Sequence, residues 1–158
     1  MSINLDELKS DLAKELGIEV EQSGSGFVIP KSKLLDALKF LKESPRYRME
    51  YISNLCAVDY LSQGYIEVAY HLYSTAGKTG PIIIKVRSDR QDCVVPSATP
   101  LFRGAEFQER EAFDLYGVKF EGHSDLRRIL MWDGFEGYPM RKDYVHEDED
   151  RYVERAHD

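Results

Sequence analysis

Two neighbouring stretches of alternating residues constrain the fold more than any other feature of the sequence. Residues 65–73 place Ile, Val, Tyr and Leu at every second position, and residues 81–87 repeat the pattern after a short turn segment. Side chains of a β-strand point alternately to its two faces, so this period of two predicts two strands with one buried face each. The short connection predicts antiparallel pairing. The inward-facing residues are predicted to be Ile66, Val68, Tyr70, Leu72, Ile82, Ile84 and Val86.

Three further strands precede this pair. Residues 49–60 are rich in apolar and β-branched residues and end at the turn segment 62–64. Residues 18–22 and 27–30 are short apolar stretches, and the Ser-Gly-Ser-Gly segment between them is typical of a hairpin turn. The sequence therefore predicts five strands in all.

Three helices are predicted before, between and after these strands. Asn4 and Glu7 have the spacing of a capping box, leucines follow at helical intervals, and Gly17 supplies the stop. A second leucine stripe runs from Pro30, which suits a first helical turn, to the Ser-Pro pair at residues 44–45. A third helix is predicted from Thr99 or Pro100 to Tyr116, followed by a capping glycine.

The order of these elements predicts an α+β fold. Two helices should pack on one face of a mostly antiparallel five-stranded sheet, followed by a helix and an extended C-terminal arm. The chain has 158 residues, a length that suits one domain. We assign residues 1–116 to the α+β domain and residues 117–158 to the arm, because the latter lack apolar periodicity. The arm is not expected to be a separate domain.

Charge and composition exclude several classes of function. The net charge of −7 argues against nucleic-acid binding, which uses clustered Lys and Arg. Residues 143–158 contain seven acids and two bases, which is −5 of that total, and we expect this tail to be partly ordered in a complex. No stretch approaches the roughly 20 apolar residues of a membrane span, so direct membrane insertion is not expected. The first twelve residues lack the apolar core of a secretory signal.

The two cysteines lie far apart in the sequence and form no Cys-x-x-Cys pair. Cys56 and Cys93 therefore have no spacing that indicates an iron–sulfur or zinc site. We predict two reduced thiols, with Cys56 buried among its apolar neighbours.

Residues 103–144 combine charges, aromatic side chains and glycines at high density. Opposite charges alternate closely, and Arg110 and Asp114 have the four-residue spacing of a helical ion pair. A solvated helix face can alternate charges, but it does not usually carry Phe, Tyr and Trp among them. Aromatic residues mixed with arginine are typical of protein interfaces. We favour an interface anchor for Trp132 and a structural or interface role for His71.

This segment resembles the signature of the C subunit, also called the 30 kDa-type subunit, of the proton-pumping NADH:quinone oxidoreductase known as respiratory complex I. The resemblance is strong over residues 103–144 and looser over the α+β portion. The matching residues include Glu109, Arg110, Glu111, Phe113, Asp114, Tyr116, Gly117, Phe120, His123, Asp125, Leu126, Arg127, Arg128, Tyr138, Arg141, Lys142, Asp143 and Tyr144. With Trp132 added, this set forms the predicted interface. The family usually has proline after the histidine, where this chain has Ser124, so the local turn can differ.

The resemblance implies a structural subunit that binds no cofactor or metal and has no catalytic residue of its own. Its partners would be other peripheral-arm subunits of complex I, namely the quinone-site subunit and its cluster-bearing neighbours. The complex would use NADH, FMN, iron–sulfur clusters and quinone. The chain would lie on the cytoplasmic side of the cell membrane, held there by other subunits.

Two alternatives remain open from the sequence. The chain could be the equivalent subunit of a related energy-converting complex, of the plastid type or a membrane-bound hydrogenase. It could instead be a stand-alone enzyme that uses a Glu109, Glu111 and His123 cluster, although His123-x-Asp125 is a weak metal motif. In the interface interpretation the acids pair with Arg110, Arg127 and Arg128. Alanine at Arg127 or Arg128 would then impair assembly more than folding.

Overall fold

The computed structural model describes residues 3–145. The predicted partial ordering of the acidic tail therefore falls largely on residues 146–158, outside the described part. The helices are α1 (Leu5–Leu16), α2 (Leu34–Glu43) and α3 (Glu106–Tyr116). The strands are β1 (Glu21–Ser23), β2 (Gly26–Val28), β3 (Tyr51–Tyr60), β4 (Tyr65–Ser74), β5 (Thr79–Asp89), β6 (Val94–Pro96) and β7 (Lys119–Glu121).

Five strands form one sheet in the order β1-β2-β5-β4-β3. The pairs β1–β2, β3–β4 and β4–β5 are antiparallel, as the short connections predict. The pair β2–β5 is parallel, with Phe27 opposite Ile84. Chain neighbours alone do not indicate this pair, because α2, β3 and β4 lie between its two strands in the sequence. The predicted α+β class and mostly antiparallel five-stranded sheet are confirmed.

The predicted inward-facing residues of β4 and β5 form the centre of the core. All seven are buried, with at most 1% exposure. The leucine stripes of the first two helices join the same cluster, through Leu8, Leu12, Leu16, Leu34, Leu38 and Leu41. Burying such side chains contributes about 1.5–3 kcal/mol each before entropy is counted, so these contacts position the helices on the sheet.

The ends of α1 follow the predicted capping pattern in part. Asn4 lies at the N-cap, and its side-chain oxygen accepts from the backbone N–H groups of Asp6 and Glu7 at 3.0 and 3.3 Å. Gly17 ends the helix in the left-handed conformation (φ 64°). The carboxylate of Glu7 does not complete a reciprocal capping box but pairs with Arg46.

Three local features differ from the sequence-based expectations. A 3₁₀ turn at residues 31–33 precedes α2, so Pro30 caps this turn instead of opening the α-helix. The third helix begins at Glu106, later than Thr99 or Pro100, because the carbonyl of Ala98 accepts from the N–H groups of residues 101 and 102 and closes a turn there. Cys56 is half-buried, whereas Cys93 is buried; both thiols are free.

A second, two-stranded sheet was not predicted. Its strands β6 and β7 pair in parallel, with Val95 opposite Phe120. Both of these side chains are buried in the main core. The start of the predicted arm is therefore attached to the domain by backbone hydrogen bonds as well as by packing. Among residues 3–145, no helix has the length and apolarity needed to cross a membrane.

Candidate interaction surface

The carboxylate of Asp114 organises the loop that follows the second sheet. Asp114 lies on α3 and is fully buried. Its Oδ2 accepts three consecutive backbone N–H groups, from Ile129, Leu130 and Met131, at 2.7–2.9 Å. Its Oδ1 accepts from the guanidinium of Arg128 at 2.6 Å. Burial opposes ionisation of this carboxyl, but the hydrogen bonds outweigh burial. The N–H of Met131, the Arg128 guanidinium and the N–H groups of residues 129 and 130 together hold the pKa of Asp114 below its usual value.

Arg128 links α3 to residues 135–138 of the arm. Besides the Asp114 carboxylate, its guanidinium donates to the carbonyls of Asp114 at 3.0 Å and Gly137 at 2.9 Å. It also lies 5.5 Å from the ring centroids of both Phe135 and Tyr138. These contacts use the planar, multiply donating character of arginine, which lysine could not reproduce.

Arg110 does not form the ion pair that its spacing from Asp114 predicts. Its side chain is buried and donates to the carbonyls of Arg127 and Arg128 at 3.2 and 3.1 Å. The prediction fails because the loop of residues 128–131 already saturates the Asp114 carboxylate. Arg110 therefore stabilises the same loop through its backbone.

Glu109 is fully buried without an ion pair among residues 3–145, contrary to the prediction that the acids of this helix pair with arginines. Its carboxylate accepts from the hydroxyl of Ser97 at 2.7 Å and the N–H of Ala98 at 2.6 Å. Burial raises the pKa of Glu109, although both hydrogen bonds act in the opposite direction. This carboxylate stabilises the turn that delays the start of α3.

His123 uses both of its ring nitrogens in local structure. Its Nδ1 accepts from the N–H of Asp125 at 3.0 Å, so the proton lies on Nε2, which donates to the carbonyl of Glu106 at 3.1 Å. The Asp125 carboxylate forms an exposed pair with Arg127 at 3.0 Å. Ser124, in the position where proline is usual, lies within this tight histidine–aspartate turn.

The carboxylates and histidine of the hypothetical stand-alone active site have separate surroundings and separate hydrogen-bond partners. Glu109 is buried, Glu111 is exposed on the same helix, and both His123 nitrogens have backbone partners. Within residues 3–145, no three His, Cys, Asp or Glu side chains are placed to hold a metal ion. The geometry gives this cluster no shared reaction centre.

A buried ion pair that the sequence analysis did not predict ties residues 142 and 143 of the arm to the sheet. Asp59 of β3 and Arg90, just after β5, are both buried and form two hydrogen bonds at 2.7 and 3.0 Å. Asp59 also accepts from the N–H of Lys142 at 2.9 Å, and Arg90 pairs with Asp143. The hydrogen bond from Arg90 is the main cause that lowers the pKa of Asp59. Asp59 is the one charged residue of β3, and this was the available signal for the site.

The C-terminal end of α3 provides a second attachment for the arm. The N–H of Met140 donates to the carbonyl of Leu115 at 3.1 Å, and Nε of Arg141 donates to the carbonyl of Tyr116 at 2.6 Å. These bonds satisfy carbonyls that a helix end leaves without intrahelical partners.

Glycines allow aromatic rings to pack closely along the arm. A Cβ on Gly117 would lie 2.5 Å from the ring of Tyr138, and one on Gly137 would lie 2.9 Å from the ring of Tyr144. Both glycines have positive φ angles. Phe135 stacks on Tyr144 with centroids 6.0 Å apart. Within residues 117–144 the arm is therefore held together by close aromatic contacts.

The predicted signature residues divide into inward and outward groups. Gly117 and Phe120 are buried, and Phe113, Tyr116 and Leu126 are half-buried. Arg127, Lys142 and Asp143 are exposed. Several large apolar side chains of this region also face outward, namely Phe107, Ile129, Leu130, Trp132 and Met140. The predicted interface set contained only Trp132 from this group. The exposure of Ile129, Leu130 and Met140 depends on the path of the chain after α3, whereas Phe107 lies on α3 itself.

The fold indicates a class, because it is similar to that of a chain from a respiratory membrane complex. A solved structure of the membrane-bound sulfane sulfur reductase, described as an archaeal respiratory membrane complex, contains a chain with a TM-score of 0.73 and 26% identity, covering 95% of this chain and 91% of that one. A trypsin-resistant fragment of Nqo5 gives a TM-score of 0.62 at 25% identity, covering 78% of this chain and all of the fragment.

The family follows from sequence. The family described as "Respiratory-chain NADH dehydrogenase, 30 Kd subunit" matches residues 27–150, and this chain belongs to it. The C subunit of an NADH-quinone oxidoreductase from Moorella thermoacetica is 45% identical over 140 residues, which are 89% of this chain and 90% of that protein. The C 2 subunit from Rhizobium etli is 38% identical over 151 residues, covering 91% and 79%. The resemblance seen in residues 103–144 is confirmed.

The relatives differ in length. The chain spans 64% of the C 2 subunit from Rhizobium meliloti, with which it is 44% identical over 119 residues. It spans 53% of the C subunit from Caulobacter sp.. Those proteins therefore contain sequence outside the matched region.

Proposed function

We propose that this chain is a structural subunit in the peripheral arm of a proton-pumping NADH:quinone oxidoreductase. It would hold neighbouring subunits in register while they transfer electrons from NADH to quinone, and it would bind no cofactor itself. One observation supports this role above the others. The buried pair of Asp114 and Arg128 fixes the start of the arm, while large apolar side chains of the same segment face outward.

The partners in this proposal are the quinone-site subunit and the cluster-bearing subunits beside it. FMN, the iron–sulfur clusters and quinone would be bound by those partners, which would also hold the chain at the cytoplasmic side of the membrane. The interface would be formed by residues 103–144. We propose that residues 117–158 act as an arm of the 1–116 domain, which is supported by the bonds from Met140 and Lys142 to Leu115 and Asp59.

A second candidate is the equivalent subunit of a related energy-converting complex with another electron donor. The likeness to the chain of the sulfane sulfur reductase complex favours it, because that likeness extends over 95% of this chain. The sequence relatives favour the NADH-linked complex, since two of them are 38% and 45% identical over 151 and 140 residues.

Purification from membranes tests the role. The chain should be tagged in its native organism, the membranes solubilised in mild detergent, and the captured assembly identified by mass spectrometry. Recovery of flavin- and cluster-bearing partners with NADH:quinone activity supports the first candidate. An assembly without NADH oxidation, but active with a different donor, supports the second.

The isolated chain provides the complementary test. It should show no visible absorption from flavin or iron–sulfur clusters and no NADH oxidation. Turnover or stoichiometric iron in the isolated chain would contradict a purely structural role.

A further inference from the structure

The loop of residues 129–132 presents apolar side chains on an unusually well-fixed backbone. Leu130 and Trp132 are 56% and 68% exposed. The backbone N–H groups of residues 129, 130 and 131 all bind one oxygen of the buried Asp114. An apolar loop that is fixed before binding loses little entropy when it binds, so such preorganisation favours affinity.

Neighbouring rings fix the direction of the tryptophan. The indole of Trp132 lies edge-on to Phe135, with centroids 4.7 Å apart and planes at 90°. Phe135 is itself held by Arg128 and by the ring of Tyr144. The indole therefore rests on a fixed platform while most of its surface faces solvent.

The charged side chains within and just after the loop are acidic. Residues 129–140 contain Asp133 and Glu136 and no Lys or Arg. Both acids are exposed, and neither forms a salt bridge within residues 3–145. The two cations that precede this stretch are paired, Arg127 with Asp125 and Arg128 with Asp114. Of the two that follow it, Arg141 donates to the carbonyl of Tyr116, and Lys142 is exposed.

We propose that Leu130 and Trp132 form an anchor for a protein partner whose surface offers an apolar pocket bordered by Lys or Arg. The proposal deepens the proposed function, on which it rests, by naming the chemistry of the partner surface. A tryptophan in such a pocket is typical of residues that dominate binding energy. The acidic border provides orientation and specificity. A lipid surface is disfavoured, because anionic headgroups attract basic segments and repel acidic ones.

The central test uses the assembled complex. Strains carrying tagged wild-type chain, Trp132→Ala, Leu130→Ala or the control Tyr51→Ala are compared by the partner protein retained per tagged chain. Tyr51 is a matched control, since it is 52% exposed but lies on β3. We expect Trp132→Ala to lower retention at least about tenfold and Tyr51→Ala to leave it unchanged. Equal retention by Trp132→Ala and wild type, or equal loss in Trp132→Ala and Tyr51→Ala, overturns the anchor.

Reversing the charge of the two acids tests whether Lys or Arg borders the pocket of the partner. Asp133→Lys together with Glu136→Lys should reduce retention severalfold, and raising the salt concentration should reduce the difference from wild type. Reversal of the exposed Glu43 on α2 is the control. Stronger retention by the double reversal overturns the basic border.

Two measurements on the isolated chain test whether a lipid surface or a second copy of the chain covers this loop instead. Trp132 is the only tryptophan, so its fluorescence reports on this loop alone. A blue shift upon addition of phosphatidylglycerol vesicles would show lipid insertion and overturn the protein partner. A blue shift with rising protein concentration, accompanied by dimers in sedimentation, would show that a second copy of the chain covers the loop. That result would also overturn the proposed protein partner.

These outcomes remain distinguishable from failure of the proposed function. If the tagged wild-type chain recovers no membrane complex, the proposed function fails. If it recovers the complex and Trp132→Ala does so equally well, only the anchor fails. All variants should unfold at the wild-type temperature, because the changed side chains are exposed.

Discussion

Asp114 and Arg128 form an ion pair in which the carboxylate is completely buried and the guanidinium is 21% exposed. Arg127, the adjacent residue in the sequence, forms a pair with Asp125 in which the side chains are 69% and 49% exposed. The two neighbouring arginines thus have opposite surroundings. The structure gives Arg128 an internal role, whereas Arg127 remains available to a partner.

We therefore expect Arg127→Ala and Arg128→Ala to have different effects. Arg128→Ala should lower the free energy of unfolding of the isolated chain by about 3 kcal/mol, near the lower end for breaking a buried pair, because Arg128 keeps some solvent contact. Arg127→Ala should change it by less than about 1 kcal/mol, as exposed pairs do. Urea denaturation of both variants measures the difference. Equal destabilisation would contradict the internal role of Arg128, and unimpaired assembly of Arg127→Ala would contradict its place in the interface.

Substitutions of Glu109 test whether its buried carboxylate lowers the stability of the fold at neutral pH. In Glu109→Gln, the amide oxygen can accept from the N–H of Ala98 and the amide N–H₂ can donate to the Ser97 hydroxyl, which then donates to Thr99. The variant removes a buried negative charge and keeps both contacts, so at pH 7 it should be at least as stable as wild type. Glu109→Ala leaves the N–H of Ala98 unpaired and should cost about 1–3 kcal/mol.

The pH dependence of this effect follows from the raised pKa of Glu109. The folded state binds a proton more tightly than the unfolded state, whose glutamate pKa is about 4.3. Wild type therefore gains stability as the pH falls from the raised folded pKa towards the unfolded value, and Glu109→Gln does not. The difference in unfolding free energy between the two should shrink over that window, with exposed Glu111→Gln as the control. A constant difference would show that the carboxyl is not perturbed.

The sequence predicted the parts of the fold that depend on local periodicity. Inward-facing residues of β4 and β5 could be assigned because alternation of side chains specifies a buried face directly. The parallel pairing of Phe27 with Ile84 could not, because it depends on the path of the intervening elements. The small sheet was missed for a related reason. Its strands are as short as β1 and β2, but α3 lies between them, so no hairpin turn indicates their pairing.

In the candidate site, too, local features could be predicted from the sequence and contacts between distant residues could not. The composition of residues 103–144 indicated where the contacts are concentrated, and the family resemblance came from the same residues. The partners of individual charges could not be predicted. Helical spacing paired Arg110 with Asp114, but three backbone N–H groups from a distant loop bind that carboxylate instead. Asp59 and Arg90 are 31 residues apart, so no local pattern connects them.

Asp59 and Arg90 should control the attachment of residues 142 and 143 to the sheet. Asp59→Ala leaves the buried guanidinium of Arg90 without its bidentate partner and removes the acceptor for the N–H of Lys142. Loss of one partner of a buried pair costs about 3–5 kcal/mol. Trypsin should cleave after Arg141 and Lys142 much faster in this variant than in wild type, as mass spectrometry of the early fragments would show. Asp92→Ala, which breaks only an exposed pair with Lys119, should leave the cleavage rate unchanged.

Gly117 tests the packing of Tyr138 against the end of α3. Alanine there faces two penalties: a left-handed φ of 75° and a Cβ only 2.5 Å from the tyrosine ring. Gly122 is the matched control, because its φ is 88° and a Cβ added there would meet no atom within 4 Å, so alanine faces the first penalty alone. Gly122→Ala should cost about 1–2 kcal/mol, as left-handed strain does, and Gly117→Ala should cost clearly more. In the double variant with Tyr138→Ala, the excess should largely disappear, since the clash is then removed. Additive effects of Gly117→Ala and Tyr138→Ala would show that the ring does not rest on this glycine.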